Sequence, residues 1–175
     1  MASEGQLYYY PIPGIWKDIG KPEELLKGNI QLMEDLLRGL NGSKKNLIDD
    51  NLDIEGKALI YSPVTIGENV TIRSNCEIGP NVIIGNNVYI GESTKIKETL
   101  IYNNAYISKN VNIDKAIISD NCLIHDGVEL KGKDQNLVIL ASYVEVLENV
   151  CLNTPSNNSL TICHHETVRQ DFEIT

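Results

Sequence analysis

Basic residues are in short supply: 15 Lys and Arg stand against 24 Asp and Glu, a formal charge of −9 at pH 7. Like charges repel, so nucleic-acid phosphate and anionic lipid are excluded as main partners, and no local Lys/Arg cluster overrides the balance. Long apolar runs are missing as well, none approaching the roughly 20 residues needed to cross a bilayer. Residues Met1 to Gln6 lack the basic and apolar parts of a secretory signal. The expectations are therefore no nucleic acid, no membrane and a cytoplasmic location. The four cysteines, Cys76, Cys122, Cys151 and Cys163, form no CxxC or other zinc-ligand spacing. Reduced, mostly buried thiols are expected, since free Cys behaves as a small hydrophobe. Over the central part the three- and four-residue apolar spacing of a helix is absent, and so is the strict alternation with hairpin turns of a sandwich.

What is there is a short repeat, the feature to look for before local propensity. From Ile60 the chain reads IYSPVT, IGENVT, IRSNCE, IGPNVI, IGNNVY, IGESTK, with Ile at 60, 66, 72, 78, 84, 90 and 96. Four places after each Ile comes a compact side chain (Val64, Val70, Cys76, Val82, Val88, Thr94), and three places after comes a turn-former, most often Asn69, Asn75, Asn81 or Asn87. Such a period predicts a left-handed parallel β-helix of hexapeptide repeats, mainly β, in which every six residues supply one short strand and one corner of a triangular coil. The Ile points inward onto its equivalents one coil above and below, and a bulky second inward residue would meet the other two faces. Asparagine tolerates the left-handed backbone that a tight corner needs, and glycine at 67, 79, 85 and 91 leaves room beside it.

The inward series continues through Ile101, Ile107, Ile113, Ile118, Ile124 and Leu130, with five-residue steps at 96–101 and 113–118 and with Asn104, Asn110, Asn121 and Gly127 at corners. Three steps make one coil of about 18 residues, so Ile60 to Leu130 spans roughly four coils. Lys131 to Asn136 reads as a protruding polar loop, a further turn resumes at Leu140, Val146 and Leu152, Asn153 to Ser159 is a second loop, and Leu160–Ile162 is a closing strand. Open ends of such a stack need covering, and the segment before Ile60 supplies a candidate. Pro22 to about Leu40 predicts an amphipathic helix, with Pro22 at its first position, Glu23 and Glu24 in its first turn, and Leu25, Leu26, Ile30, Met33, Leu36, Leu37 and Leu40 on one broad face. Asn41-Gly42 ends it, and Asn46 to Asp53, polar and acidic, reads as a linker into the β-helix. The division is thus residues 1–45 with one helix and residues 46–175 as the β-helix domain, with a loop near 131–136.

Upstream of that helix, Leu7-Tyr8-Tyr9-Tyr10-Pro11-Ile12-Pro13-Gly14-Ile15-Trp16-Lys17-Asp18-Ile19-Gly20-Lys21-Pro22 resembles the end of the catalytic domain of sugar-1-phosphate nucleotidyltransferases, whose pattern is G-[FY]-W-x-D-I-G-x-P. Within that group the chain is most similar to the C-terminal part of mannose-1-phosphate guanylyltransferases (GDP-mannose pyrophosphorylases), with their hexapeptide β-helix and with a late segment from Val138 to Val168 of like layout. The resemblance implies that residues 1–45 are the end of a nucleotidyltransferase-like domain. It implies an oligomerisation or regulatory part of an enzyme making a nucleotide sugar from a nucleoside triphosphate and a sugar 1-phosphate. It also implies Mg2+ for the full-length enzyme, with Asp18 at the position of a metal-binding aspartate. Otherwise, Asp18 braces the turn before the helix. The glycine-rich G-x-G-x-R-L-x-P-L-type segment and the second metal-binding aspartate of the family have no counterpart here, so this chain alone is expected to hold no catalytic residue and no cofactor. Sugar phosphate and nucleotide are expected as ligands only of a full-length protein.

Two other classes fit parts of the pattern. A hexapeptide acyltransferase would use a histidine as general base between subunits, and His125, beside inward Ile124, could project toward a neighbour. His164-His165 after Cys163 tempts a metal reading, but adjacent side chains on an extended segment diverge. A non-catalytic scaffold subunit of the translation initiation exchange factor has the same two-part architecture. Self-association through the β-helix and the N-terminal helix is expected, with outward Tyr89, Tyr102 and Tyr106 as interface candidates because tyrosine joins apolar area to a polar tip.

Overall fold

A computed structural model describes residues 9–11, 13–40, 44–49 and 51–171 of the chain. Among the described residues, one helix, α1 (Pro22–Gly39), is followed by strands of two to seven residues, and every named strand pairs in parallel with strands of the adjacent coils. The chain is a left-handed parallel β-helix of about seven coils. Three inward columns run through it. On the first face Ile48, Ile66, Ile84, Ile101, Ile118, Leu140 and Ile162 are stacked. On the second stand Ile54, Ile72, Ile90, Ile107, Ile124, Val146 and Val168. The third holds Ile60, Ile78, Ile96, Ile113, Leu130 and Leu152.

These columns are the core. From Ile66 to Leu152 every one of these inward residues is buried, each side chain contributing about 1.5–3 kcal/mol by leaving water. The compact positions Val64, Val70, Cys76, Val82, Val88 and Thr94 are buried with them. Thr94 is satisfied there, its hydroxyl donating to Ser108 O at 2.9 Å and accepting from Val111 N at 3.3 Å. At the corners Asn69, Asn75, Asn81 and Asn87 have φ of 54, 61, 60 and 57°, the left-handed conformation their short amides tolerate. Stacked corners bond to one another: Asn69 Nδ2 donates to Asn87 Oδ1 at 3.2 Å, and Asn87 Nδ2 to Asn104 Oδ1 at 3.1 Å. Gly91 is required by the coil above, since a Cβ there would lie 2.5 Å from the carbonyl carbon of Ser108.

Three expectations are corrected. The stretch Asn46 to Asp53 is not a linker: Leu47–Ile48 pairs with Thr65–Ile66, and Asp53–Ile54 with Thr71–Ile72, so the solenoid starts two strands before Ile60, which completes its first coil. Its physical basis is plain, because Ile48 and Ile54 already keep the six-residue step. At the other end Thr167–Val168 pairs with Glu145–Val146 and carries the winding past the strand Leu160–Ile162. The broad face of α1, expected to pack on the β-helix or on another domain or subunit, packs on the β-helix, but along its first face and not over its open end. Leu26 is buried with Leu100, Ile117 and Leu137, and Leu25, Ile30, Ile83, Tyr102 and Ile139 pack around them. The helix stop expected at Asn41-Gly42 falls outside the described residues, as do Leu7, Tyr8 and Ile12 of the head.

The corner between the third and first faces is where coil length varies. The five-residue steps place Glu98 and Lys115 there with φ of 45 and 58°, whereas the next two coils insert the loops 131–136 and 153–159. Those loops stack, Thr154 N donating to Lys131 O at 3.0 Å and Leu137 N to Ser159 Oγ at 2.9 Å. They also hold the start of α1. Ser159 Oγ donates to Glu23, and Lys27 Nζ to Gln135 Oε1 at 3.4 Å.

Candidate functional site

Each strand sends residues outward on both sides of its inward residue, and the three faces differ in what they show. The first presents the column Thr65, Ile83, Leu100, Ile117, Ile139, whose apolar part is where α1 packs. The third face presents charges that pair among themselves. Lys95 Nζ lies 2.7 Å from Glu77, Lys97 Nζ lies 3.2 Å from Asp114, and Lys131 pairs with Glu129. The hydrogen bonds that Lys95 and Lys131 donate to Glu77 and Glu129 hold the pKa of their ammonium groups above the ordinary range.

The second face is neither covered nor a continuous ion-pair ladder. Its centre is a ridge of two rings: Tyr89 and Tyr106 are stacked with centroids 4.7 Å apart and planes 5° from parallel. Arg73 lies over the other side of Tyr89 at 5.6 Å, its Nε donating to the phenol oxygen at 3.3 Å, and it pairs with Glu55 on the coil below. Beside the ridge runs an open groove of about 650 Å³ with Gly91 and Ser108 in it, bounded by Glu92, Lys109 and Asp126. Hydrogen bonding from Ser108, helped by the charge of Lys109, holds the Asp126 carboxyl below its usual range.

Of the tyrosines singled out from the sequence, Tyr89 and Tyr106 are thus brought together, while Tyr102 stands apart at the margin of the α1 cluster. His125 is on the second face, with Nε2 2.9 Å from Glu145 Oε1 and Nδ1 3.7 Å from Glu148 Oε1. These two glutamates escaped the sequence reading because they lie one coil away. His165 stacks on Tyr143 at 4.9 Å; neither it nor His164 joins a group of three potential ligands, and no such group occurs among the described residues. All four cysteines are free; Cys76 and Cys122 are buried, Cys151 is half-buried, and Cys163 is exposed.

Asp18 sits in the exposed head, where its Oδ1 accepts the backbone N–H of Gly20 at 3.0 Å. That bond is the turn brace. One carboxylate so engaged does not by itself make a magnesium site, which draws on several oxygens. The head is apolar and uncovered: Trp16 is 78% exposed, Tyr9, Tyr10, Ile15 and Ile19 are exposed too, and so are Leu32 and Leu36 of α1 and Leu40 at its end, although Leu36 and Leu40 were expected on its apolar face. No helix among the described residues is long and apolar enough to cross a membrane.

A family model described as the GMPPB C-terminal domain matches residues 60–174. Among solved structures, the UDP-N-acetylglucosamine acyltransferase of Francisella novicida is similar at 23% identity, over 71% of this chain and 59% of that one, with a TM-score of 0.39. This chain thus corresponds to less than two thirds of that enzyme.

Proposed function

The chain belongs to the GMPPB C-terminal-domain family, and from that premise we propose that it is the C-terminal assembly and regulatory part of a nucleotidyltransferase. That enzyme makes a nucleotide sugar of the GDP-mannose type from a nucleoside triphosphate and a sugar 1-phosphate. The observation that carries the reading beyond the family match is the head. Its Tyr9, Tyr10, Ile15, Trp16 and Ile19 stand in water, as do Leu32, Leu36 and Leu40, and exposed apolar surface on this scale marks an interaction site. The nucleotidyltransferase-like domain whose last residues the head resembles is the body that would cover it. Mg2+ then belongs to that whole enzyme, with Asp18 as this chain's one candidate ligand. The rigid, flat-sided solenoid supplies surfaces for association of like subunits, and α1, docked along the first face, fixes the head relative to them.

The test is turnover. A protein carrying this segment is expected to form GDP-mannose and pyrophosphate from GTP and mannose 1-phosphate, and this chain by itself to form none. Turnover by the isolated chain would refute the division of labour. Acetyl-CoA turnover lost on His125→Ala would replace the reading with an acyltransferase, for which the His125–Glu145 contact is the feature in favour. Co-purification with initiation-factor subunits would favour a scaffold instead.

A further inference from the structure

We propose that the second face is where two copies of this chain pair, antiparallel, about a two-fold axis that lies in the face and crosses it at Tyr106. This rests on the self-association just described and gives it a surface and a symmetry. The first face is occupied by α1, and the third neutralises its own charges and shows the single ring of Tyr61, which leaves the second as the face of the described solenoid with a stacked aromatic ridge.

Tyr106 stands on the fourth of about seven rungs, so a two-fold through it lays the first rung on the seventh, the second on the sixth and the third on the fifth. In such an interface residue i meets j and j meets i. The outward residues that precede the inward ones read, rung by rung, Asp53, Thr71, Tyr89, Tyr106, Leu123, Glu145, Thr167. Those that follow them read Glu55, Arg73, Gly91, Ser108, His125, Leu147, Arg169. Laid on their own reverse, the columns match in chemistry. Tyr106 meets Tyr106, Tyr89 meets Leu123, Glu55 meets Arg169, and the gap at Gly91 receives His125. Arg73 lies on Leu147 with Glu145 one position aside.

No like-charged pair falls within either column. At the margin Lys109 on the axial rung meets its own copy, and Glu92 opposite Asp126 on the flanking rungs surrounds those two ammonium groups with four carboxylates. A two-fold parallel to the solenoid axis is worse, since it sets Asp53 against Glu55. Rungs about 4.8 Å apart make the matched face about 30 Å long.

The test is cross-linking in protein whose Cys151 and Cys163 are replaced by Ser. Tyr106→Cys, and independently Ser108→Cys, lie on the axis; facing sheets stand about 10 Å apart, beyond a disulfide's reach, so each is expected to be joined to its own copy in high yield by a short bis-maleimide. Lys95→Cys on the third face is expected to remain uncross-linked. By sedimentation, Arg169→Glu is expected to weaken the dimer at least tenfold, with Glu55→Lys in the same chain restoring it. Association that persists while both axial cysteines stay unlinked and Arg169→Glu has no effect would overturn this surface and leave self-association standing. A strictly monomeric mass at all concentrations would overturn both.

Discussion

At the residue scale, position within the coil decides chemistry. Burial pushes the thiols of Cys76 and Cys122 above the ordinary value of 9.0, while Cys163 stands in water. With a thiol reagent near neutral pH, Cys163 is expected to react first, Cys151 more slowly, and Cys76 and Cys122 only on unfolding; rapid labelling of all four would contradict the packing. The linkage sign follows, because the folded chain keeps protons on these two thiols that the unfolded chain releases. Stability is therefore unaffected by them below pH 9.0 and falls as the pH rises above it.

Asparagine corners supply the second residue-scale prediction. Asn87 combines φ of 57° with amide bonds to Asn69 and Asn104. Asn87→Ala should cost about 2 kcal/mol, summing roughly 1–2 for the left-handed backbone and 0.5–1.5 for lost hydrogen bonding. Asn87→Gly should cost less, because it keeps the backbone freedom and loses only the ladder. Urea unfolding would decide it, and equal losses would show that the corner conformation carries no cost.

At the element scale, α1 is held by one apolar contact strip and a few polar tethers. Leu26 is the buried residue that links it to Leu100, Ile117 and Leu137, so Leu26→Asp is expected to release the helix while leaving the solenoid wound. The measurement is hydrogen exchange: protection over 22–39 should collapse, and that of the central coils should persist. Loss of both together would show that α1 is needed for the winding itself.

The docking place of this helix was hidden from the sequence for a physical reason. The residues that receive it are 17 to 22 apart, a spacing that acquires meaning only when the coil length is known. A signal did exist, in the adjacent apolar pairs Ile83-Ile84, Leu100-Ile101, Ile117-Ile118 and Ile139-Leu140. In each, one member points in and the other out, so outward apolar residues recur on a single face. The six-residue period, by contrast, is local, and it made the winding, the compact positions and the asparagine corners legible from Ile60 onward. Where it failed was the first coil, because Asp49 and Asp53 make 46–53 look solvated. An end coil has a neighbour on one side only, and its outward positions are free to be acidic. Of the second face, the tyrosines were legible as types, but their stacking, Arg73 beside them and the glutamates around His125 come from coils far apart in sequence.

For the whole molecule, stability should be graded along the axis. In a solenoid each coil contacts only its neighbours, and total stability is approximately a sum of coil and interface terms. A middle layer is closed above and below, whereas Ile54 in the first coil is 38% exposed and Ile90 in the third is fully buried. Ile90→Ala should therefore cost about 2–5 kcal/mol, the range for emptying a packed core site. Ile54→Ala should cost well under half as much, since part of that surface already meets water and the end coil can relax into the space. Amide exchange should follow the same gradient, with Asp53 and Glu55, which donate to Val70 and Ile72, exchanging sooner than Tyr89 and Gly91, which donate to Ala105 and Ile107. A body covering the first coil would raise the protection of Asp53 and Glu55 and bring the cost of Ile54→Ala toward that of Ile90→Ala. Equal costs and uniform protection in the isolated chain would mean that it unfolds as one block, and nearest-neighbour coupling would then be the wrong description.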